Sequence, residues 1–267
     1  MSENNKLARL KKIIAEMDSL LVAFSGGVDS TFLLKVASLV LHSNKILAVT
    51  ADSATYPKDE LYFTRRMAKT LGVKHRIIKT LELKNRRFVS NPVNRCYFCK
   101  KELFSRLNVI ALKSRLDFVA DASNTSDRKD FRPGDIAKKE LGIRSPLQEA
   151  GFTKQDVRSL SRTLGLITWD KPALACLASR IPYGIAIKPH LLKRVDRGER
   201  YLRKIGFKQV RLRHYNGLCR IEVDNENIPR LIYKRKQIVD RLKRLGYNYV
   251  TIDLEGYRTG SLNEVVR

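Results

Sequence analysis

The 267-residue sequence predicts an α/β fold: an N-terminal domain with a parallel sheet flanked by helices over residues 1–180, and a smaller C-terminal α+β domain over 181–267. Three observations carry that expectation. Ser19–Phe24 is a short, nearly continuous apolar run, as expected for a parallel strand covered on both faces. A glycine-rich turn, Ser25-Gly26-Gly27-Val28-Asp29-Ser30, joins it to Thr31–Ala37, whose apolar residues recur at helical spacing. Beyond Gly184 the order becomes helix, strand, strand, helix, strand, which suits one layer of helices on a small sheet.

Lys6–Met17 reads as an amphipathic helix behind a polar start, not as the apolar core of a signal segment. After the first strand, the glycine turn offers unpaired backbone N–H groups and the positive end of a helix dipole, both suited to a phosphate. Gly26 and Gly27 let the backbone approach an anion with no Cβ in the way. Ser25 and Ser30 add hydroxyl donors, and Asp29 is placed to hold the Mg²⁺ that accompanies phosphates. Lys45–Thr50 is the second strand and ends at Ala51-Asp52-Ser53. Ligands of open α/β sheets bind at the carboxyl ends of strands, so Asp52 and Ser53 are placed to reach a nucleotide. A helix runs from Tyr56-Pro57 to about Leu71 and stops at Gly72. Val73–Ile78 is a third strand, with His75 read as structural.

Asn91–Asn94 is a loop that leads into Arg95-Cys96-Tyr97-Phe98-Cys99-Lys100 and a helix over Lys101–Ser114. Two thiols at a helix start lie near an electropositive end, which lowers their pKa. The C-x-x-C spacing leaves a redox pair, half a metal site and chance all open. Asp117–Asp121 is a fourth strand, with Ala122-Ser123-Asn124-Thr125 at its carboxyl end. Asp127, Asp130 and Arg132-Pro133-Gly134 read as a loop over the site. Ile136–Leu141 is a short helix, Arg144–Leu147 an extended piece, and Thr153–Leu164 a helix capped by Thr153 and closed by Gly165. Trp169–Gly184 is rich in prolines and small residues and reads as an ordered loop. Its Cys176, near Lys171 and Arg180 in sequence, is either a partly ionised nucleophile or a packed small hydrophobe.

In the C-terminal part, Pro189–Ile205 is a basic helix closed by Gly206. Strands Gln209–His214 and Leu218–Val223 are joined by the turn Asn216-Gly217. Ile228–Leu245 reads as one helix and Tyr247–Ile252 as the last strand. Residues 181–267 hold 20 Lys+Arg against 9 Asp+Glu. Arg211 and Arg213 share one strand face. With Arg220 they form either a set of phosphate ligands or a solvated basic face.

The composition sets outer bounds. Hydrophobic residues make up 43% of the chain, enough for a core, and no apolar run approaches the roughly 18 residues a membrane span needs. A cytoplasmic location is expected. Four cysteines in such a chain argue for chemistry or a metal rather than a disulfide framework. The formal charge of +26 predicts affinity for polyanions and keeps an RNA partner open beside a basic surface without one.

SGGVDS is not the phosphate loop that ends in Gly-Lys-Ser/Thr. It resembles the PP-loop of the N-type ATP pyrophosphatases, which cut ATP between the α- and β-phosphates and adenylate an acceptor oxygen. Together with NRCYFCK, the RPG loop, WDKPALACLASRIPYG, VRLRH and the final GYRTGSLNE, it resembles the LarE family over nearly the whole chain, from about Leu20 to Asn263. SGGVDS specifies only the superfamily, whereas the WDKPALACLASRIPYG stretch is far more specific. The resemblance implies an ATP-dependent sulfur transferase that acts on pyridinium-3,5-biscarboxylic acid mononucleotide, in the assembly of a nickel-pincer nucleotide cofactor. It implies ATP, Mg²⁺ and a [4Fe-4S] cluster as cofactors.

By the same resemblance, Ser25, Gly26, Gly27, Asp29, Ser30, Asp52, Ser53 and Asn124 bind ATP and pyrophosphate. Arg211, Arg213 and Arg258, with Glu199, hold the substrate phosphate. Cys176 matches the sulfur-handling cysteine. In one branch of the family that cysteine gives up its own sulfur and becomes dehydroalanine. In another, three cysteines hold a [4Fe-4S] cluster that delivers sulfide. Cys96, Cys99 and Cys176 resemble the second branch, and Cys219 reads as structural. A sulfide or other sulfur donor and a homo-oligomer are the expected partners, with no membrane. The alternative is a PP-loop tRNA thiolase, which also pairs C-x-x-C with a distant cysteine. Against it, the chain has no extra RNA-binding module.

Overall fold

A computed structural model describes residues 2–129, 133–172 and 175–266. In chain order the helices and strands are α1 (Glu3–Glu16), β1 (Leu20–Ala23), α2 (Val28–Val40), β2 (Ile46–Asp52), α3 (Lys58–Thr70), β3 (Lys74–Lys79), α4 (Arg86–Val89), α5 (Arg95–Lys113), β4 (Phe118–Ala120), α6 (Gly134–Glu140), α7 (Pro146–Glu149), α8 (Lys154–Thr163), α9 (Pro189–Lys204), β5 (Val210–Tyr215), β6 (Leu218–Val223), α10 (Ile228–Tyr233), α11 (Arg235–Arg244) and β7 (Tyr249–Ile252). The chain divides into two units. One holds residues up to Glu82 and Asn94–Leu174, the other Leu83–Val93 and Ala175 onward. The segment Leu83–Val93, ahead of the C-x-x-C pair, thus groups with the C-terminal unit.

In the first unit four strands run parallel in the order β3-β2-β1-β4. Strand residues alternate between two cores, as the two-residue strand period requires. Leu20, Val22, Ile46 and Ala48 join Phe32, Val36 and Val157 on one side of the sheet, while Leu21 and Val49 join Phe104 and Leu107 on the other. Covering both faces is why β1 reads as an unbroken apolar run. The edge strand β3, Lys-His-Arg-Ile-Ile-Lys, is only partly buried, and its charges blunt a free edge. His75 there bonds through Nε2 to the Thr50 hydroxyl at 2.8 Å and meets the Phe24 ring edge-on, which is a packing role.

In the second unit β5 and β6 pair antiparallel through Asn216-Gly217, both at positive φ as that tight turn demands, and β7 lies parallel to β6. Val210, Leu212, Cys219, Ile221 and Val223 face Leu202, Leu231, Ile238 and Leu242 of the helices. The alternate residues of β5 and β6 are Arg211, Arg213, Tyr215, Leu218, Arg220 and Glu222. Arg213 stands opposite Arg220, and Arg211 opposite Glu222.

Three local expectations change. The region Ile228–Leu245 is two helices that break at Lys234, with no glycine or proline there to announce it. Arg144 alone bridges to Ala120, and Pro146 opens the one-turn helix α7, where its fixed φ suits the first helical position. The helix of the C-x-x-C pair begins at Arg95, so both thiols lie inside it. Asp130 and Arg132 of the expected loop lie outside the described residues.

Candidate functional site

In the first unit the glycine turn lies between β1 and α2, at the carboxyl end of a central strand. Gly26 has φ +67°, and a Cβ there would come within 2.8 Å of Thr64 Cγ2. Glycine is required twice, by conformation and by space. Gly27 caps α2 without a side-chain bond, which leaves the first-turn N–H groups for another acceptor. The Ser25 and Ser30 hydroxyls meet at 3.1 Å, and Ser30 Oγ donates to the Gly27 carbonyl at 3.3 Å. The Tyr56 hydroxyl donates to the Ser25 carbonyl, and burial pushes its pKa up. Lys171 braces the turn from the other side. Its Nζ donates to the Gly26 carbonyl at 3.1 Å and to Glu60 at 2.6 Å, and lies 3.5 Å from the centre of the Phe63 ring. Burial lowers its pKa against the pull of Glu60.

Asp29, in the first turn of α2, accepts from Asn124 Nδ2 at 3.1 Å through one oxygen and from Lys154 Nζ through the other. Asn124 is itself fixed: its N–H donates to Asp127 at 2.9 Å and its carbonyl accepts from Gln148 at 3.0 Å. The loops after β1 and β4 are thereby joined. After β2, the Ser53 hydroxyl bonds to Glu82 and to Thr55 at 2.7 Å, and Asp52 ends the strand half-buried. Glu82 is buried, and among the described residues its Oε2 has no hydrogen-bond partner. Asp121 lies beyond β4 with Lys138 at 3.2 Å. Burial raises its pKa, but Lys138, Ser123 and Ser145 outweigh that and hold the carboxyl below its ordinary range.

The thiols sort by exposure. Cys96 and Cys176 are exposed, Cys99 is half-buried and Cys219 is buried. Cys96 and Cys99 lie one turn apart at the start of α5. In the second unit Cys176 precedes a short turn, Leu177–Arg180, and its carbonyl accepts from Ser179 N–H at 2.9 Å and Arg180 Nη1 at 3.1 Å. Burial pushes the Cys219 thiol up to about 12, which keeps it protonated and inert.

Arg180 was expected to polarise Cys176. It is instead held in a buried bidentate pair with Glu199, at 2.7 and 3.1 Å, with both side chains 1% exposed. Glu199 also accepts from Arg203 at 3.2 Å and from the Leu212 N–H at 3.0 Å. Burial works against its ionisation, yet Arg180 and Arg211 keep the carboxyl below its ordinary pKa. Glu199 is therefore a buried charge hub. Burial and the nearby Arg180 lower Arg211 to about 10, and its guanidinium stacks on Tyr257.

Arg213 forks onto Glu222 at 2.8 and 2.9 Å and donates to Ser261 at 2.8 Å. A cavity of about 560 Å³ opens on this face, lined by Arg213, Arg220, Arg258, Tyr183, Tyr215 and Asp253, among others. Arg258 pairs with Glu255 at 2.8 Å and Glu264 at 3.2 Å. Arg220 Nε and Arg258 Nη1 are held by ion pairs and make no hydrogen bond among the described residues.

Sequence reasoning missed Lys154, Glu82 and the Arg180–Glu199 pair. Lys154 had a signal. A cation in the first turn of a helix opposes the helix dipole, so a nearby carboxylate or anion is favoured there.

The asparagine synthase family profile matches residues 16–88, the part that carries β1 to β3 and the glycine turn. A protein of Synechocystis sp., described only as uncharacterized, is 44% identical over 264 residues, 98% of each chain. Pyridinium-3,5-bisthiocarboxylic acid mononucleotide synthase of Lactiplantibacillus plantarum is 37% identical over 261 residues, 98% of this chain and 95% of that one. An uncharacterized protein of Methanocaldococcus jannaschii is 28% identical over 257 residues, 95% of this chain and 98% of that one.

Proposed function

The chain belongs to the LarE family of PP-loop sulfur transferases and is an ATP-dependent sulfurtransferase, and on that footing we propose that it converts a carboxylate of pyridinium-3,5-biscarboxylic acid mononucleotide to a thiocarboxylate. The observation that carries the nucleotide half is the Gly26–Gly27 turn, with its unfilled first-turn N–H groups and Asp29 beside them. A carboxylate is a poor electrophile because its leaving group would be oxide. Attack of its oxygen on the α-phosphorus of ATP makes an acyl adenylate and releases pyrophosphate, and AMP then becomes the leaving group for sulfur. The N–H groups of the turn, with Ser25 and Ser30, bind the pyrophosphate as charge builds on it. Asp29 supplies a hard carboxylate oxygen that suits Mg²⁺, which would neutralise phosphate charge there. Asn124 orients that carboxylate, and Asp52 and Ser53 face the nucleoside end.

Arg213 and Arg258 hold the substrate phosphate in the second-unit cavity. Arg211 lies on the same strand face, and Glu199 keeps that arginine cluster compact. For sulfur, the donor set is three thiols outside the hydrophobic cores, Cys96, Cys99 and Cys176, with Cys219 withdrawn by burial. Three thiolates would be the ligands of a [4Fe-4S] cluster, which would supply an iron open to sulfide; among the described residues no three His, Cys, Asp or Glu side chains are gathered as such a group would need. The competing route takes sulfur from Cys176 itself. Its thiolate displaces AMP, the Cβ–S bond then breaks with loss of the Cα proton, and dehydroalanine remains. A cytoplasmic homo-oligomer that takes sulfide or another sulfur donor completes the reading.

Anaerobic purification with an iron count and intact-mass analysis after turnover separates the routes. A cluster requires that Cys96→Ala, Cys99→Ala and Cys176→Ala each lose iron and activity together. Self-sacrifice requires that only Cys176→Ala is inactive, and that the spent chain is lighter by about 34 Da, the mass of H₂S. Failure of the protein to form pyrophosphate with the pyridinium substrate, alongside thiolated tRNA nucleosides, would replace this substrate with RNA.

A further inference from the structure

Lys154 lies 125 residues from Asp29 in sequence, yet its ammonium sits on the Asp29 carboxylate. It is the first residue of α8, whose N-cap is Thr153, and a helix dipole disfavours a cation at that position. The Thr153 capping box already satisfies the helix end, so Lys154 has no part in capping. It differs from the other lysine at the turn. Lys171 is spent on the Gly26 carbonyl, Glu60 and the Phe63 ring, and its side chain is 16% exposed. Lys154 is 35% exposed, and an ammonium has three donors. Its backbone N–H is anchored on Ser126 Oγ at 3.1 Å, beside Asn124, which holds the other oxygen of Asp29. The base of Lys154 is thus fixed by its backbone, and its partly exposed ammonium lies on the Asp29 carboxylate in the first turn after the glycines.

We propose that Lys154 is a pyrophosphate-binding residue that Asp29 holds in place until nucleotide arrives. This rests on the ATP-dependent reading above. With ATP bound, the Asp29 carboxylate would be free to hold Mg²⁺ and the Lys154 ammonium would move onto the β- and γ-phosphate oxygens. When the substrate carboxylate attacks the α-phosphorus, the bond from that phosphorus to the bridging oxygen breaks and its electron pair stays on pyrophosphate. Lys154 neutralises that charge without giving up a proton. The Asp29 pair also explains how a cation is kept at the turn in the absence of phosphate.

The test is calorimetric binding to the whole protein, with two probes: α,β-methylene-ATP with Mg²⁺, which carries the β- and γ-phosphates, and AMP, which lacks them. Lys154→Ala and Lys154→Met, the second keeping the apolar stem, should weaken the ATP analogue about tenfold or more and leave AMP unchanged, as loss of one charge-assisted contact requires. Lys154→Arg should recover most of the affinity. Equal weakening of both probes, or unchanged or tighter binding of the analogue, would overturn the proposal. Tighter binding would mean that Lys154 only masks Asp29. Failure of the unaltered protein to bind the analogue would overturn the ATP reading of the turn, and the role of Lys154 with it.

Discussion

The two units arrange their charges in opposite ways. In the first, backbone N–H groups of a glycine turn face a site whose charged side chains remain partly exposed, Asp29 at 21% and Lys154 at 35%. In the second, arginines are buried and forked onto buried carboxylates, Arg180 on Glu199 and Arg213 on Glu222. The first arrangement leaves a field that a ligand completes. The second ties its arginines into ion pairs of its own, Arg220 with Asp253 and Arg258 with Glu255 among them. A count of positive residues therefore does not tell how much unpaired charge a surface presents. What matters is whether each charge has been neutralised internally.

The comparison breaks most visibly at Glu199. Glu199→Ala leaves Arg180 buried without its partner, which should cost the second unit about 3–5 kcal/mol in denaturant unfolding. A loss below about 1 kcal/mol would mean that the pair is not the hub of that unit. Next comes the turn. Gly26→Ala puts a Cβ against Thr64 at a φ that alanine resists, and pyrophosphate release should fall about a hundredfold while stability drops by only about 1–3 kcal/mol. The two variants should thus separate folding from chemistry, and a Gly26→Ala protein with full turnover would remove the turn from the mechanism.

A smaller effect sharpens the role of the second unit. Arg258→Ala, at the rim of the cavity, should raise the KM for the pyridinium mononucleotide about tenfold and leave the KM for ATP unchanged. Movement of the ATP value instead would reverse the assigned roles. Smallest is a pH effect. The Glu199 carboxyl has a folded pKa below its ordinary 4.5, so its ionic stabilisation is full above that value and is lost as pH falls through the lower folded value. The stability gap between the unaltered protein and Glu199→Gln should therefore be widest above pH 4.5 and close in acid. A gap that stays constant into strong acid would show that the charge of Glu199 does not matter.

Much of this was legible in the residues. SGGVDS sits between an apolar run and a helical pattern, and those two patterns alone specify a strand-to-helix turn at the end of a buried strand. Asn216-Gly217 announced its hairpin, and Thr153 its helix. Arg211 and Arg213 were correctly placed on one face, but period two says nothing about what that face meets, and Glu222 and Glu199 neutralise much of it. The break at Lys234 carried no breaker residue, so helical periodicity ran straight through it. Arg180 read as an activator of Cys176 because the two are near in sequence, whereas its guanidinium reaches the Cys176 carbonyl through Nη1 and a carboxylate on α9 through Nε and Nη2.

The sequence by itself determined what short-range chemistry controls: strand and helix order, the glycine turn, the caps, the tight hairpin and which thiols lie on apolar strands. These follow from backbone sterics and side-chain periodicity over a few residues. The tertiary structure alone decided which charges meet. Lys154 reaches Asp29, Asn124 ties the loops after β1 and β4 together, and Glu199 gathers three arginines. Such pairings depend on the approach of segments that the packed sheets bring together, and a charged side chain does not carry the identity of its partner in its own local sequence.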